Sequence, residues 1–582
     1  MLACLSLYAQ KYFKHSAIIF FMQELYDELH AEVVKREIHS KEAFLKLKDE
    51  LVRKYHVKHV PSMISVLTHL PEFERSRYKF LLSKPTRTSS GVAPVAIMTK
   101  PMNCPPQARC TYCPGGPESF FGDVPKSYTG NEPASIRAAR NHFSAYSQVM
   151  NRLEQYALLN QSFQKVELII MGGTFMSYPK VYQDMFIMEA LQAMNDFSEW
   201  FFVNQELNFP KFLEFFELPA DVKNKDRTER ILNKLHSVKK QTSLLLEQEK
   251  NEVASVRCVT LVIETRPDCS SEGDIDQMLA LGTTRVELGI QSLSDEVLQK
   301  VERGHDVASS IHASQLLRDS FMKVCHQVMP GLYMDVDESI RMIQELFSNP
   351  DFRPDALKIY PCMVMPGTKL HEEYNAGRFV PLSTEEAGEV ILKAKKFIPK
   401  YCRVMRIQRD IPTKVTIDGV GMTNFRQYVH ELMKRNNVVC NCIRCREPRF
   451  RPIDWNHVEL QKIEYEANHG TEVFLSYDDL KNNILLGFVR LRASFKPFRP
   501  EITSNTLGIR ELHVYGAAAS LGTQGMIQHR GLGKKLMEEA EKIAKEEFNA
   551  KKLAVISGIG VREYYYKLGY KRDGPYVSKL LE

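Results

Sequence analysis

The stretch Cys104-Pro-Pro-Gln-Ala-Arg-Cys110-Thr-Tyr-Cys113-Pro-Gly-Gly-Pro117 places three cysteines within ten residues. Three thiolates in one loop favour a metal centre with an open position, because structural zinc and electron-transfer clusters normally take four protein ligands. A 4Fe–4S cluster held in this way leaves one iron free to chelate S-adenosylmethionine, which the reduced cluster can cleave to a carbon radical. A structural zinc knuckle with a distant fourth ligand is the alternative.

The cysteine loop directly follows the first of about six strand-like apolar runs, which alternate with helical segments along the chain. These runs are residues 94–98, 165–171, 259–264, 284–290, 323–329 and 355–360. Strands that alternate with helices predict a parallel sheet, and about six such units predict a full or partial (β/α) barrel over residues 91–399. The active site of such a barrel lies at the carboxyl ends of its strands.

Glycine and polar residues cluster at these predicted strand ends. Gly172 and Gly173 permit close approach of the backbone to a bound amino-acid group. Glu264, Glu287 and Gln291 can form hydrogen bonds with a ribose or an amine. A zinc knuckle needs no such surroundings, so the strand ends favour the iron–sulfur interpretation and these five residues are candidates for binding S-adenosylmethionine.

Length and composition indicate a globular protein of two or three domains. The 582 residues carry 44% hydrophobic residues and a net charge of +7, which permits a nucleic-acid partner without requiring one. Twelve cysteines in a chain of this length are not a disulfide scaffold and indicate a reducing compartment, hence the cytoplasm. The apolar run 17–22 is too short for a membrane span and lacks a signal-cleavage site, so we expect no membrane partner.

The segments before and within the barrel are predicted to be helical. We interpret residues 1–22 as a non-native extension, with Met22 as an alternative start. Residues 23–90 form a helical leader, which has a local charge of +6 between residues 51 and 90. That charge suits a phosphate backbone, although a solvated helical face explains it equally well. At about 205–255 we expect an inserted charged helix without a catalytic role.

A basic linker is predicted at 400–455, and it contains a second cysteine cluster. Its local charge between residues 400 and 451 is +8. Cys440, Cys442 and Cys445 have zinc-like spacing, with His430 or His457 as a fourth ligand. Free thiols are the alternative, and structural zinc is the interpretation that we favour.

The remaining residues, 456–582, form a separate domain. Runs at 483–491 and 508–514 are strand-like, and Gln528-His-Arg-Gly531-Leu-Gly533 leads into a predicted helix at 534–547. A glycine turn at a helix N-terminus directs backbone N–H groups at an anion, here suited to a pyrophosphate. A further strand and a tyrosine-rich segment at 564–570 complete the pattern.

This terminal domain resembles the GNAT acetyltransferases, and the preceding barrel resembles the radical SAM enzymes. The order of the two domains, with the motifs at 171–175, 263–268, 406–412 and 510–516, resembles the Elongator catalytic-subunit family from about residue 60 onward. The C-x5-C-x2-C spacing departs from the common radical SAM motif and from the longer first gap of eukaryotic Elongator proteins. We therefore expect a prokaryotic, stand-alone form of this family.

The resemblance implies an acyltransferase-type radical SAM enzyme that makes 5-carboxymethyluridine at the wobble position of tRNA from acetyl-CoA. In that reaction a radical from S-adenosylmethionine takes a hydrogen from the acetyl methyl group. The resulting carbon radical adds to C5 of an extruded uracil, and thioester hydrolysis completes the product. Two alternatives stay open: a protein lysine acetyltransferase with a structural iron–sulfur barrel, and a tRNA-binding scaffold. A homodimer or accessory Elongator-like subunits also stay open.

Site residues follow from the same resemblance. Cys104, Cys110 and Cys113 would hold the 4Fe–4S cluster. Tyr565 would lie at the thioester sulfur. On their position in the sequence alone, and not from the resemblance, we expect Lys358 or His305 to handle protons or charge near the base. The residues expected to contact acetyl-CoA are Lys165, Glu511, Leu512, His513, Val514, Gly531, Leu532, Gly533, Lys534 and Tyr565.

Overall fold

The computed structural model describes residues 23–57, 60, 63–69, 78, 80–81, 88, 90–220, 224–449, 451–516 and 531–581. The predicted extension 1–22, most basic positions of the leader, and Gln528 to Arg530 lie outside these residues. The described part of the chain divides into two compact units. One comprises the described residues within 1–85, 151–163 and 199–240, and the other comprises those within 86–150, 164–198 and 241–582. Within the described ranges, no helix has the length and apolar character needed to cross a bilayer.

The α-helices are numbered in chain order. They are α1 (23–35), α2 (Lys41–Lys54), α3 (Met63–His69), α4 (Pro133–Arg140), α5 (Ala145–Leu158), α6 (Lys180–Phe201), α7 (Phe209–Phe215), α8 (Lys225–Val238), α9 (Leu244–Val253), α10 (Glu272–Leu281), α11 (Asp295–Lys300), α12 (Val307–Asp319), α13 (Val336–Ser348), α14 (Lys369–Asn375), α15 (Thr384–Ala394), α16 (Phe425–Arg435), α17 (Ile443–Arg446), α18 (Leu532–Glu546) and α19 (Arg562–Tyr566).

The β-strands are also numbered in chain order. They are β1 (Ala93–Met98), β2 (Gly116–Ser119), β3 (Gly122–Val124), β4 (Lys165–Met171), β5 (Phe202–Val203), β6 (Glu206–Leu207), β7 (Arg257–Thr265), β8 (Arg285–Gln291), β9 (Lys323–Val328), β10 (Ala356–Ile359), β11 (Arg403–Arg406), β12 (Val458–Ala467), β13 (Gly470–Asp479), β14 (Ile484–Ala493), β15 (Thr506–Val514), β16 (Lys552–Val555), β17 (Lys571–Asp573) and β18 (Tyr576–Leu580).

The first unit is built from leader helices and from part of the predicted insertion. Leu25, Leu29 and Val33 recur every four residues, so they share one face of α1 and are fully or almost fully buried. The predicted single charged helix is wrong: α8 ends at Val238 and α9 begins at Leu244. The physical reason is a new cap, because the Ser243 hydroxyl accepts a hydrogen bond from the N–H of Leu246 and starts a second helix.

A seven-stranded parallel sheet confirms the predicted partial barrel. Its strand order is β1-β4-β7-β8-β9-β10-β11, and every neighbouring pair is parallel. The predicted runs match β1, β4 and β7 to β10 within two residues at each end. The seventh strand, β11, comes from the segment that we predicted to be a linker. Its four residues are too few to show an alternation pattern.

The terminal domain is a second seven-stranded sheet, of order β12-β13-β14-β15-β16-β18-β17. Its neighbouring strands are antiparallel except for the parallel pair β15 and β16. Helix α18 packs on this sheet through Leu536, Met537 and Ala540, which are all at most 1% exposed. The sequence prediction missed the hairpin of β12 and β13, although it forms one edge of the sheet.

Buried ion pairs join the barrel to the terminal domain within the second unit. Glu472 on β13 accepts hydrogen bonds from Arg318, Arg492 and Arg510 at 3.1, 3.0 and 2.8 Å. Arg510 also donates to Asp355, which immediately precedes β10, at 2.5 Å. These side chains are at most 3% exposed. The two domains therefore share a polar core near the amino ends of the barrel strands.

Candidate active site

The cysteine loop begins after β1, at the carboxyl edge of the parallel sheet, and each of its three sulfurs has a polar neighbour. Cys104 Sγ lies 3.4 Å from the Thr174 hydroxyl. Cys110 Sγ accepts a hydrogen bond from Arg303 Nη1 at 3.2 Å, and Cys113 Sγ accepts one from the Ser127 N–H at 3.3 Å. Such donors stabilise thiolates, which are the form that binds iron. The loop therefore fits an iron–sulfur cluster.

The electrostatics of the loop centre on Cys110. Burial opposes ionisation of this thiol, but the Arg303 and Arg266 guanidinium groups outweigh it and lower the pKa of Cys110. Burial raises the pKa of Cys104. Arg266 is held by Asp268 through two hydrogen bonds of 2.9 and 3.0 Å. The sequence analysis missed both arginines as site residues, although Arg266 lies inside the motif 263–268 that we singled out.

The unusual length of the first cysteine gap has a structural explanation. Gln107, within the gap, donates from Nε2 to Asp268 Oδ2 at 3.1 Å. The Arg109 and Thr111 N–H groups donate to the carbonyls of Glu302 and Val301 at 3.1 and 3.0 Å. The longer loop thus reaches two neighbouring segments and holds Cys110 between them.

Glycines at the end of β4 leave no room for side chains beside the cysteine loop. Gly172 and Gly173 have φ angles of +124° and +105°, which residues with a side chain rarely adopt. A Cβ atom at Gly172 would also lie 2.2 Å from the Thr99 hydroxyl. The predicted close backbone approach is therefore available at these two residues.

Charged side chains fill the interior of the half-barrel next to the loop. Lys358 on β10 donates to Glu264 at 2.9 Å and also forms an ion pair with Glu287. Burial works against the charge, but the two carboxylates raise the pKa of Lys358 well above its usual value. The Tyr128 hydroxyl donates to the second Glu264 oxygen at 2.9 Å. Lys358 is therefore a fixed positive charge and not a proton acceptor.

The remaining predicted barrel residues have different surroundings. Glu287 is 1% exposed, and its carboxylate is shared by Arg285 and Lys358. Gln291 ends β8 with a φ angle of +67°. His305 Nε2 lies 3.4 Å from the Gly289 carbonyl, and burial with the charges of Arg303 and Arg266 lowers its pKa to about 3. His305 is consequently neutral near pH 7, and so low a pKa makes it a weak base in these surroundings.

The terminal domain opens a gap between two parallel strands. β15 pairs with β16 only over Thr506–Ile509, whereas residues 511–514 pair with β14 alone. Gly531, at φ +78°, then precedes the N-terminus of α18, which includes Leu532, Gly533 and Lys534. An open strand edge beside a helix N-terminus suits a ligand with amide groups and a pyrophosphate.

The side chains at this gap differ in part from the expectation. Tyr565 is 6% exposed and packs in the apolar core, and burial raises its pKa. The hydroxyl of the neighbouring Tyr564 lies close to Gly533: it would be 3.0 Å from a Cβ atom built on that glycine. The sequence did not single out Tyr564, because the direction in which each of three consecutive tyrosines points depends on its position around the helix.

The acidic and imidazole side chains of β15 face the barrel. Glu511 accepts hydrogen bonds from Lys323 at 3.2 Å and from Arg490 at 3.0 Å. His513 Nε2 lies 3.2 Å from the Ser90 carbonyl. Lys165, at the start of β4, is largely buried, and this burial with the charge of Arg257 lowers its pKa.

Three sequence profiles match the chain. The Radical SAM superfamily matches residues 104–347, the Radical SAM C-terminal domain matches 354–435, and the acetyltransferase (GNAT) family matches 440–570. Among curated proteins, the chain is 45% identical over 535 residues to the tRNA uridine(34) acetyltransferase of Methanocaldococcus jannaschii, covering 90% of this chain and 91% of that protein. It is 39% identical over 542 residues to Elongator complex protein 3 of Saccharomyces cerevisiae, with 90% of both proteins covered. The chain belongs to the Elongator complex protein 3 family.

A solved structure agrees with this assignment. The archaeal Methanocaldococcus infernus Elp3 with an N-terminal deletion (1–46) superimposes with a TM-score of 0.68 at 41% identity, covering 84% of this chain and all of that chain. The family membership confirms the predicted half-barrel followed by a GNAT domain. It also identifies the chain as an acyltransferase-type radical SAM enzyme.

A second cysteine group lies in the segment between the barrel and the GNAT domain of this Elongator complex protein 3 family member. Among the residues that the structure describes, Cys440, Cys442 and Cys445 are the group of three whose ligand atoms all lie within 4.8 Å of one another. Lys395 Nζ lies 3.8 Å from Cys445 Sγ. The predicted fourth ligand His457 is instead largely exposed and lies 3.1 Å from Asp454. His430 is half-buried.

The ion pairs of Glu511 predict an acid-sensitive contribution to stability. Burial raises the pKa of this carboxyl, but Lys323 and Arg490 lower it to about 2. Because the folded pKa lies below the unfolded value, the stabilisation is complete above about pH 4.5 and is lost as the pH falls towards 2. We expect Glu511→Gln to cost about 3 kcal/mol at pH 7, and the difference from wild type to shrink by pH 3. Denaturant titrations from pH 7 to 3 measure this difference, and a constant difference would contradict the assignment.

Proposed function

We propose that this protein forms 5-carboxymethyluridine at the wobble position of tRNA, using acetyl-CoA and S-adenosylmethionine. The observation that carries the proposal is the presence, in one compact unit, of a cysteine loop beside an open half-barrel and of a GNAT sheet with an open strand edge. The names of the relatives, tRNA uridine(34) acetyltransferase and Elongator complex protein 3, support the same substrate.

The residues of the half-barrel would hold the cofactor and the charge around it. Cys104, Cys110 and Cys113 would hold a 4Fe–4S cluster, which with bound S-adenosylmethionine supplies a carbon radical. The amino-acid and ribose groups of S-adenosylmethionine would be lined by Gly172, Gly173, Glu264 and Gln291. Glu287 would contribute indirectly, through its ion pair with Lys358. Lys358 would present a fixed positive charge to the substrate, and His305 would accept a proton only once bound substrate had raised its pKa.

The GNAT domain would hold acetyl-CoA along the open edge of β15. Residues 511–514 would offer backbone groups, and Gly531 to Lys534 would bind the pyrophosphate at the start of α18. Lys165 would contact the same ligand from the barrel. Tyr565, or its neighbour Tyr564, would lie near the thioester sulfur.

Mass spectrometry of tRNA nucleosides tests the proposal. The anaerobically reconstituted protein is incubated with tRNA, S-adenosylmethionine and acetyl-CoA that carries ¹³C in both acetyl carbons. We expect a carboxymethyluridine peak two mass units above the unlabelled nucleoside, and none when S-adenosylmethionine is omitted. Acetylated lysine without modified uridine would favour the acetyltransferase alternative instead. No cleavage of S-adenosylmethionine by cluster-loaded protein, even with tRNA present, would favour the scaffold alternative.

We also propose that Cys440, Cys442 and Cys445 bind a structural zinc ion. Their sulfurs are close enough to share one ion, and among the described residues neither predicted fourth ligand, His430 or His457, belongs to the group of ligand atoms within 4.8 Å of one another. We expect one zinc per chain by elemental analysis, and less than about one tenth of that in Cys442→Ala, since tetrahedral zinc rarely survives loss of a thiolate. His457→Ala is the matched control and should keep its zinc. Full zinc content in Cys442→Ala would contradict the site.

Partners and location complete the proposal. The basic leader and the segment 400–455 would contact the tRNA backbone, which predicts binding that weakens steeply with salt. A cytoplasmic location fits the tRNA substrate and the free cysteines of the described residues. Accessory subunits or a second copy of the chain stay predictions, and light scattering of the purified protein distinguishes a monomer of 67.0 kDa from a dimer.

A further inference from the structure

One side of the cysteine loop carries a concentrated positive charge. Arg303 is 7% exposed, and its two terminal nitrogens donate to Cys110 Sγ at 3.2 Å and to the Gly289 carbonyl at 2.6 Å. In the part of the chain that the structure describes, Arg303 forms no ion pair with a carboxylate. Its charge therefore faces the Cys110 sulfur without a compensating anion.

The position of Arg303 is fixed by the backbone. The hydrogen bonds from Arg109 and Thr111 to the carbonyls of Glu302 and Val301 flank Cys110 on both sides. Gly304 packs so closely on the loop that a Cβ atom there would lie 2.4 Å from the Gln107 carbonyl. The guanidinium group is therefore held against the loop by the chain on both sides of it.

Arg266 adds a weaker contribution. Its Nη1 lies 3.9 Å from the same sulfur, and its Nη2 donates to the Arg303 carbonyl at 2.6 Å. Asp268 neutralises much of its charge through the two short hydrogen bonds described above. The other two cysteines have neutral neighbours, the Thr174 hydroxyl and the Ser127 N–H. The positive charge is thus concentrated on Cys110.

We infer that Arg303 sets the reduction potential of the cluster through its hydrogen bond to Cys110. Reduction moves one electron from a low-potential one-electron donor onto the cluster, and no bond is broken and no proton moves. A buried positive charge stabilises the added electron, and hydrogen bonds to cluster sulfurs tune such potentials. Arg303 is thus a positioning residue that acts through a cysteine ligand. The inference rests on the cluster of the proposed function and not on its tRNA substrate.

An EPR-monitored redox titration of the reconstituted protein, without S-adenosylmethionine, tests this inference. At the potential where the wild-type cluster is half reduced, we expect the ratio of reduced to oxidised cluster to fall about tenfold in Arg303→Met, which corresponds to a shift of about −59 mV for one electron. Arg303→Lys, which keeps the charge, should shift less, and Arg266→Met should also shift less. Arg137→Met removes a buried arginine that donates to the Ala96 carbonyl, and it should leave the potential unchanged.

The outcomes are distinguishable. An unchanged midpoint in Arg303→Met with full iron content would overturn the inference and leave the proposed function intact. Failure of the wild-type protein to hold a cluster would instead overturn the proposed function. If Arg303→Met does not fold or bind iron, Arg303→Lys decides, because it keeps the charge but changes the hydrogen bond to Cys110: a negative shift supports the inference, and an unchanged midpoint overturns it.

Discussion

Replacement of Cys110 by alanine is expected to lower wobble-uridine modification by about 1,000-fold or more, equivalent to about 4 kcal/mol of activation barrier. The reason is that Cys110 is one of the three predicted cluster ligands and is held by Arg303, so its loss should remove the cluster and not merely weaken it. The iron content, the 5′-deoxyadenosine formed and the modified nucleoside should fall together. Circular dichroism should show that the fold is kept.

Cys258→Ala is the matched control for that experiment. Cys258 is a buried cysteine of the barrel that lies on β7, and its thiol donates to the Thr260 carbonyl at 3.6 Å. It should retain the wild-type iron content and activity. Modification that persists in Cys110→Ala would refute the radical mechanism, and equal losses in both variants would indicate general damage to the barrel.

Removal of the Glu472 carboxylate should give the largest loss of stability. Glu472 is 1% exposed and accepts hydrogen bonds from Arg318, Arg492 and Arg510. Glu472→Ala would leave three buried guanidinium groups short of a partner, and breaking a buried ion pair typically costs about 3–5 kcal/mol. We expect a decrease of that size in the free energy of unfolding, measured by denaturant titration, with the mutant still folded in buffer.

A surface carboxylate of the neighbouring strand provides the comparison. Glu464 on β12 is 51% exposed and lies 3.5 Å from Lys462. Exposed pairs contribute about 0–1 kcal/mol, so Glu464→Ala should be almost silent. A loss below about 1 kcal/mol in Glu472→Ala would mean that water or rearranged side chains replace the carboxylate.

The parts of the fold that could be predicted from the sequence are those with local signals. The strands β1, β4 and β7 to β10 are apolar runs of the right length, and the carboxyl-edge residues follow them directly. The strand β11 and the hairpin of β12 and β13 carry weaker signals. The residues of β12 are largely polar and partly alternate in exposure, as in a half-buried strand, and a search for continuous apolar runs does not detect such a strand.

The cysteines of the candidate cluster site could be predicted from the sequence, but the side chains that surround them could not. The spacing of Cys104, Cys110 and Cys113 identifies them at once. Arg303 lies 193 residues from Cys110, and only the fold brings the two together. Glu511 and His513 were predicted to contact acetyl-CoA, but their side chains point towards the barrel. Side chains alternate between the two faces of a strand, so a shift of one residue reverses the face to which each side chain points. The local register shift that follows Ile509 in β15 cannot be read from the sequence.

The buried charges between the barrel and the GNAT domain affect how such a gene can evolve. A chain cut near residue 455 would expose Arg318 and Asp355 on one fragment, and Glu472, Arg492 and Arg510 on the other. Each fragment would have to solvate or repack charges that are neutralised in the intact chain. Neither fragment is therefore expected to fold stably when it is recombined with other domains. The two chemistries are therefore expected to be inherited, lost and engineered together.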